Sequence, residues 1–349
     1  MEVLLDDIGS FPLPKSVERK TFDEAYKLAR EQIASGKSLK ENAFLFKNFY
    51  EVVVDSFLKK LKTGLDVVNY PQHYDIHRQF AEPIHKAMEK GTYIVEDKDA
   101  TIPEVHVINE EAKRICESIG KKIALRVCVT GPMELYLKEV GTTLYKDVLF
   151  MFAETVGRFA KNAILNSKYI KTEVISIDEP SFGFQEISAD KDIIVEALEK
   201  ALNFEGGVQR HIHMHSPARI MDVLEVRNLD VVSIEYAASS DSLECITKGT
   251  LERMDKFIRV GISRTDIDSI IAELYDKGIT KPDIEQLVED ERTIRKRFEK
   301  AREKFGDKMT FTGPDCGLGG WPTQGAAQLL LERTVKAVKP SSYHQKTLV

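Results

Sequence analysis

Three histidines stand at every second position of the run Gln-Arg-His-Ile-His-Met-His, residues 209–215. A β-strand turns alternate side chains to one face, so this spacing would aim the imidazoles together. A carboxylate and a thiol that could complete a ligand set follow later in the chain. Two imidazoles, one carboxylate and one thiolate suit a tetrahedral zinc ion. We therefore predict a zinc site formed by His213, His215, Glu235 and Cys316.

Each of these residues alone has an ordinary explanation as a hydrogen-bonded histidine, an ion-pair partner or a small core residue. The prediction therefore depends on a fold that brings them together. Short β-branched runs alternate with amphipathic stretches, which is typical of βα units around a parallel sheet. We predict eight strands, at residues 3–9, 65–70, 122–130, 173–178, 209–215, 229–235, 257–262 and 308–313. Eight strands close a TIM (β/α)8 barrel, so we expect an α/β fold with one barrel domain over residues 1–349.

Helices are predicted between the strands from apolar periodicity and glycine stops. They fall at residues 40–62, 109–119, 133–168, 188–203, 240–254, 265–277, 282–305 and 324–338. The segment 91–107 has the alternation of a β-hairpin, which we predict as an insertion into the barrel.

The composition limits the classes of binding partner that we expect. The net charge is −6, and basic residues are interspersed with acidic ones, so a nucleic-acid surface is not expected. The N-terminal residues lack the pattern of a signal peptide, and no apolar run approaches the length that spans a bilayer, so we expect a cytoplasmic protein without membrane contact. The four cysteines form no C-x-x-C pair, which argues against a disulfide framework.

The functional groups of a TIM barrel lie at the C-terminal ends of its strands. Asp178 ends the fourth predicted strand and could receive a substrate ammonium group, although an acid there could also serve only the first turn of a helix. Gly9 and Ser10 end the first strand, and their backbone N–H groups could hold a carboxylate or simply form a tight turn. Together these residues would bind an amino acid at both ends.

Five motifs together resemble the catalytic domain of cobalamin-independent methionine synthase: Ile8-Gly9-Ser10-Phe11-Pro12, Ile177-Asp178-Glu179-Pro180, His213-Met214-His215, Ser233-Ile234-Glu235 and Pro314-Asp315-Cys316-Gly317-Leu318. The resemblance implies a TIM barrel whose zinc binds the homocysteine thiol. It also implies zinc ligation by His213, Glu235 and Cys316, and homocysteine contacts from Ile8, Gly9, Ser10 and Asp178. The resemblance covers only the catalytic domain of that family, and it implies the short archaeal-type or core form.

Three departures from the family pattern bear on the chemistry. His215 stands where the family has a cysteine ligand, so the predicted site would have only two anionic ligands and would be a stronger Lewis acid. Gln72 is the nearest match to a glutamate that contacts the substrate amine. Ser263 and Arg264 stand where the family has its general-acid histidine. A methyl donor whose leaving group needs no proton would suit such a site.

The sequence therefore predicts a zinc-dependent methyltransferase that methylates a thiol, with homocysteine as acceptor and a methylated corrinoid, presented by a separate protein, favoured over methyltetrahydrofolate as donor. Two alternatives stay open: a methyltransferase for another thiol such as coenzyme M, and a non-catalytic metal-binding barrel. His211 is expected behind the ligands or in the core, and His73 is one candidate for a proton donor.

Overall fold

The computed structural model describes residues 2–339. Met1 and residues 340–349, which the predicted domain also includes, lie outside the described residues. Residues 2–339 contain eight strands, one within or overlapping each predicted run. They are β1 Leu4–Leu5, β2 Val68–Asn69, β3 Ile123–Thr130, β4 Ile170–Asp178, β5 Gln209–Met214, β6 Val231–Ile234, β7 Phe257–Ser263 and β8 Met309–Pro314.

The strands form a single parallel sheet that follows chain order from β2 to β8, with β1 beside β8. A parallel bridge between Asp6 and Val67 also links the end of β1 to the start of β2, the two strands at the edges of the sheet order. The sheet therefore curls on itself, and the predicted TIM-barrel fold is confirmed. All strands run in the same direction, so the predicted site residues at their C-terminal ends share one mouth.

Fourteen α-helical segments surround the strands within the described residues. They are α1 Arg19–Ala34, α2 Ala43–Leu45, α3 Glu51–Leu61, α4 Ile76–Met88, α5 Pro103–Ile119, α6 Pro132–Glu139, α7 Lys146–Asn162, α8 Lys191–Ala201, α9 Ile220–Leu224, α10 Lys248–Arg253, α11 Ile267–Asp276, α12 Ile284–Leu287, α13 Glu291–Phe305 and α14 Gln324–Val338. Across residues 2–339, no helix combines the length and the apolar character needed to cross a membrane.

The helix predictions were incomplete in two ways. The helices α1, α4 and α9 were not predicted, and the single helix predicted over 282–305 is divided into α12 and α13. The longest predicted helix, over 133–168, is also divided, into α6 and α7. The division falls at Gly141, whose φ of +99° is a conformation that interrupts a right-handed helix and that glycine adopts without a Cβ penalty.

The predicted β-hairpin at 91–107 is wrong. Residues 91–102 form turns without a strand, and α5 begins at Pro103, a residue suited to the first helical position. The apolar residues Val105, Ile108, Ala112 and Ile115 are all buried, at spacings of three or four residues. The alternation that suggested a strand was therefore the beginning of a helical period that continues beyond residue 107.

The barrel interior contains a layer of charged side chains, where branched apolar residues are usual. The Asp6 carboxylate accepts hydrogen bonds from Arg126 and Arg259, each at 2.6 Å, and all three side chains have no exposed surface. Arg126 also lies 3.2 Å from His211 Nδ1. These residues come from β3, β5, β7 and the residue after β1, so the contacts cross the interior. A layer of Val67, Val174, Val231 and Phe311 forms a separate apolar cluster.

We predict that Asp6→Asn destabilises the protein by about 3–5 kcal/mol, because it leaves two buried guanidinium groups without their anion. The free energy of unfolding, measured by urea denaturation, tests this. Glu96→Gln serves as the control, since Glu96 forms its ion pairs with Lys90 and Lys98 on the surface, and it should leave the unfolding midpoint unchanged. Equal midpoints for the two variants would contradict the prediction.

Candidate metal centre and substrate site

The four predicted metal ligands meet at the barrel mouth. His213 lies in β5, and His215 follows the end of that strand; Glu235 directly follows β6, and Cys316 comes two residues after β8. One potential ligand atom from each residue lies within 4.8 Å of those of the other three. Three strands separated by up to about a hundred residues therefore contribute to one cluster, as the strand assignment required.

The distances within this cluster are too long for a tight hydrogen-bonded network. Glu235 Oε1 lies 3.6 Å from His213 Nε2 and 3.6 Å from His215 Nε2. Cys316 Sγ lies 3.4 Å from His215 Nε2. The four potential ligand atoms therefore lie close together, while the carboxylate of Glu235 forms no short hydrogen bond to either imidazole.

The donor set fits a metal ion. His213 Nε2 is buried and has no hydrogen-bond partner among the described residues, whereas a buried imidazole nitrogen normally has one. The other ring nitrogen, Nδ1, lies 3.1 Å from Ser233 Oγ. An imidazole whose Nδ1–H is held by an acceptor presents Nε2 as a free electron pair, which is the usual arrangement in metal sites. The residue types, two nitrogens, one oxygen and one sulfur, match a tetrahedral zinc set.

The electrostatics of the cluster respond to its burial. Burial lowers the pKa of His215, so its imidazole is neutral and able to act as a ligand. Burial alone would raise the pKa of Glu235, but the neighbouring His213 and His215 lower it below its usual value. Burial and the charge of Glu235 raise the pKa of the Cys316 thiol. A divalent cation would reverse that effect, because a coordinating thiol loses its proton.

Asp315 fixes the loop that carries Glu235. Its buried carboxylate accepts hydrogen bonds from the backbone N–H groups of Tyr236, Ala237 and Ala238, at 2.7–3.1 Å. Burial raises the pKa of Asp315 to about 7, while the three N–H groups act in the opposite direction. Gly261 is required beside it, because a Cβ at that position would lie 2.1 Å from Asp315 Oδ1. The predicted ligands Glu235 and Cys316 are therefore positioned by one shared carboxylate.

Asp178 lies at the end of β4, partly exposed, and its Oδ1 accepts a hydrogen bond from Ser176 Oγ at 2.8 Å. The next residue, Glu179, is fully buried and accepts the backbone N–H groups of Met133 and Glu134 at the start of α6. Glu179 therefore ties the C-terminal end of β4 to that helix, while Asp178 stays available for a substrate.

The Gly9–Ser10 turn is joined to the loop after β8. Ser10 O accepts the N–H of Leu318 at 2.7 Å, and Ser10 Oγ accepts that of Gly319 at 3.0 Å. Among the described residues, the N–H groups of Ile8 and Ser10 have no hydrogen-bond acceptor. A Cβ on Gly317 would come within 2.9 Å of Ser10 N, so glycine there keeps this N–H open. These two donors could hold a carboxylate.

Gln72 lies beside this turn. Its backbone has a φ of +43°, a strained conformation for a residue other than glycine, and strain of this kind is frequent at ligand sites. A Cβ on Gly9 would be 2.9 Å from Gln72 Oε1, so the amide packs directly against the turn. A cleft of about 440 Å³ opens here, lined in part by Ser10, Gln72 and Gly319.

Neither Ser263 nor Arg264 has a free side chain at the mouth. Ser263 Oγ lies 2.9 Å from Thr334 Oγ1 of α14, because an irregularity in the β7–β8 register precedes it and turns its side chain outward. Arg264 forms ion pairs with Asp266 and Glu273.

His73 and His211, the other two histidines considered in the sequence, are both buried and have structural roles. His73 is buried, with Nδ1 2.9 Å from Phe11 O and Nε2 2.8 Å from Ser56 Oγ. Both nitrogens are thus engaged, and burial lowers the pKa of His73 to about 3. His211 belongs to the charged layer inside the barrel, as its position one pleat deeper predicted, and burial beside Arg126 lowers its pKa well below the usual value.

Ser233, Asp315 and Glu179 are not among the predicted site residues, although Asp315 and Glu179 stand next to such residues in the chain. Their carboxylates accept backbone N–H groups from other loops, so no local spacing could have revealed their partners. The available signal was position: an acidic residue beside a predicted ligand or substrate contact at the end of a buried strand.

Comparison with known proteins gives a fold and no family assignment. No protein-family model and no curated protein matches the chain. A B12-independent methionine synthase from Shewanella sp. W3-18-1, solved in complex with selenomethionine, superposes with a TM-score of 0.58 at 14% identity, over 97% of each chain. The apo homocysteine methyltransferase MmuM from Escherichia coli gives a TM-score of 0.45 at 10% identity, over 95% of this chain and 96% of that one. The first comparison establishes that the two proteins share the barrel fold.

The environment of His73 predicts a pH dependence of stability. The pKa of this histidine is lower in the folded state than the ordinary value of 6.5, so the unfolded chain binds one more proton at pH 4–6. Its contribution to stability is complete above pH 6.5 and is lost as the pH falls, by about 1.4 kcal/mol per pH unit.

We expect His73→Asn to reduce the slope of unfolding free energy against pH by this amount between pH 6 and pH 4. Chemical denaturation at several pH values measures it. His106→Asn, at a partly exposed histidine on α5, should keep the wild-type slope. A wild-type slope in the His73 variant would show that this residue is protonated in the folded protein.

Proposed function

We propose that this protein is a zinc-dependent methyltransferase that transfers a methyl group to the sulfur of homocysteine, with a methylated corrinoid protein as donor. The observation that carries the proposal is the cluster of His213, His215, Glu235 and Cys316, in which the buried Nε2 atom of His213 has no hydrogen-bond partner among the described residues. Asp178 and the open N–H groups of Ile8 and Ser10 lie at the same mouth and could bind the two ends of an amino acid.

Different residues would bind the thiol, the ammonium group and the carboxylate of the acceptor. A zinc ion held by the four ligands would favour the thiolate form of the substrate thiol. Asp178 would receive the ammonium group, while the N–H groups of Ile8 and Ser10 would hold the carboxylate, with the Gln72 amide beside them. Binding of both ends of the amino acid would fix the orientation of its thiol group. Such orientation of the reactants accounts for a large part of catalysis in bimolecular transfers.

In the transfer, a bond forms between the acceptor sulfur and the methyl carbon as the bond from that carbon to the donor breaks. The electron pair of the broken bond leaves with the donor. A corrinoid cobalt can take that pair without a proton, whereas the nitrogen of methyltetrahydrofolate needs one. Ser263 and Arg264 are committed to Thr334 and to surface carboxylates, and His73 is neutral with both nitrogens engaged. These contacts favour the donor that requires no acid.

Metal binding gives the first test. We expect about one zinc ion per chain after reconstitution, with mixed nitrogen, oxygen and sulfur ligation in the X-ray absorption spectrum. Cys316→Ser and His213→Ala should each lose most of the metal, because each removes one of four ligands. Cys245→Ser is the matched control, since Cys245 is an exposed cysteine outside the cluster, and it should retain the full stoichiometry. A spectrum without a sulfur ligand would exclude Cys316.

The donor gives the second test. Zinc-loaded protein is incubated with homocysteine and either methylcobalamin or methyltetrahydrofolate, and methionine is measured. We expect the corrinoid to react at least about tenfold faster, since a positioned acid usually contributes about a hundredfold. A folate rate equal to or above the corrinoid rate would contradict the donor assignment. The same assay is run with coenzyme M as the thiol. Methylation of coenzyme M but not of homocysteine would identify a different acceptor, and zinc binding without methylation of either thiol would support a non-catalytic barrel.

A further inference from the structure

Side chains join the first two strands at the mouth end of the seam between them. Deeper in the barrel, the backbone makes this connection, where Leu5 O accepts the N–H of Val67 at 3.0 Å. Nearer the mouth, Asp7 Oδ1 accepts the backbone N–H of Asn69 at 2.9 Å. The other oxygen of this carboxylate lies 2.6 Å from the Nζ atom of Lys60, a residue of α3. An ion pair therefore takes part in closing the barrel beside the Gly9–Ser10 turn.

The ammonium group of Lys60 also binds three backbone carbonyl groups. Its Nζ atom lies 2.8 Å from Asn69 O, 3.3 Å from Gly9 O and 3.4 Å from Tyr70 O. The Lys60 side chain has no exposed surface, and a buried ammonium group is stable only when it is paired and hydrogen-bonded in this way. A helix on the outside of the barrel thus holds the turn after β1 and the end of β2 together.

The contact with Gly9 O also determines the direction of the Ser10 N–H, because the two groups belong to one peptide unit. Within residues 2–339 no peptide bond is cis. The C=O and N–H of a trans peptide point in opposite directions. Since Lys60 holds Gly9 O toward α3, the Ser10 N–H points away from that helix. A cation on the carbonyl also polarises the peptide and strengthens its N–H as a hydrogen-bond donor.

This N–H is one of the two donors that have no acceptor among the described residues. Ser10 lines the cleft that it shares with Gln72, so a ligand in the cleft could reach its backbone. Gly9 has a φ of +62°, a conformation that glycine adopts without a Cβ penalty. The backbone at this turn is thus free to take the orientation that Lys60 imposes.

We propose that Lys60 is a positioning residue that directs the Ser10 N–H toward the carboxylate of the acceptor, and so favours thiols that carry a carboxylate. This inference rests on the proposed function, and it adds a residue that itself does not touch the acceptor. A purely structural role for Lys60, limited to closing the seam between β1 and β2, predicts equal effects on thiols with and without a carboxylate.

The test compares homocysteine with 3-aminopropane-1-thiol, which has the same thiol, chain and amine but lacks the carboxylate. Dissociation constants of both thiols for the zinc-loaded protein are measured by calorimetry, in the wild type and in the double variant Asp7→Asn/Lys60→Met. The double variant removes both charges, because Lys60→Met alone would leave a buried carboxylate unpaired. The amide that replaces the Asp7 carboxylate can still accept the N–H of Asn69.

We expect the double variant to bind homocysteine about tenfold or more weakly, because its carboxylate loses an oriented donor, and to bind 3-aminopropane-1-thiol within about twofold of the wild type. In the methylation reaction, the KM for homocysteine should rise by a similar factor while kcat changes by less than about twofold. Lys62→Met is the control, since it removes an exposed lysine just after the same helix and should leave both dissociation constants unchanged.

Amide NMR of the wild type gives a second readout that does not depend on the folding of a variant. Homocysteine should move the Ser10 amide proton downfield, and 3-aminopropane-1-thiol should not. An unmoved Ser10 amide, equal weakening of both thiols in the double variant, or unchanged homocysteine binding would each overturn the inference. The expected binding pattern without methylation by the wild type would instead defeat the proposed function and leave the role of Lys60 intact.

Discussion

The carboxylate of Asp6 is the constraint around which the barrel is built. It binds two arginines, Arg126 and Arg259, in an interior that no solvent reaches. Unpaired charges in such a place cost several kcal/mol each, so β3, β7 and the segment after β1 are strongly favoured in the arrangement that brings these three residues together. One negative and two positive groups leave an excess positive charge below the mouth. The candidate site above it is rich in acidic groups, so the two layers are electrostatically complementary.

The mouth is organised by two more buried carboxylates, each of which accepts backbone N–H groups from another segment. Asp315 holds the loop that follows β6, and Glu179 holds the first turn of α6. Each stands next to a residue of the candidate site, Cys316 and Asp178 respectively. A side chain that is predicted to bind a substrate or a metal is thus placed on a backbone that a neighbouring carboxylate holds in position. This is how loops can present ligands with the small tolerance that metal and substrate binding require.

The predicted and observed positions of particular residues show which features can be inferred from the local sequence pattern. The alternation of His211, His213 and His215 placed the last two at the mouth and the first one deeper, since the pleat of a strand depends only on neighbouring residues. The alternation at 91–107 led to a wrong prediction of a β-hairpin, because so short a run fits both a strand and the first turns of a helix. Val105 and Ile108 are both buried, and their packing favours the helix. The role of Arg126 could not be inferred, because its anion lies 120 residues earlier in the chain.

The sequence by itself determined the strand order, the parallel barrel and the identity of the four residues that meet at its mouth. Strand periodicity and the requirement that eight βα units close determine these features, and both can be recognised along the chain. Only the tertiary structure decided which polar groups lack a hydrogen-bond partner among the described residues, such as the Nε2 atom of His213 and the backbone N–H of Ser10. Whether a group is satisfied depends on every segment that folds around it, so no local pattern can reveal it.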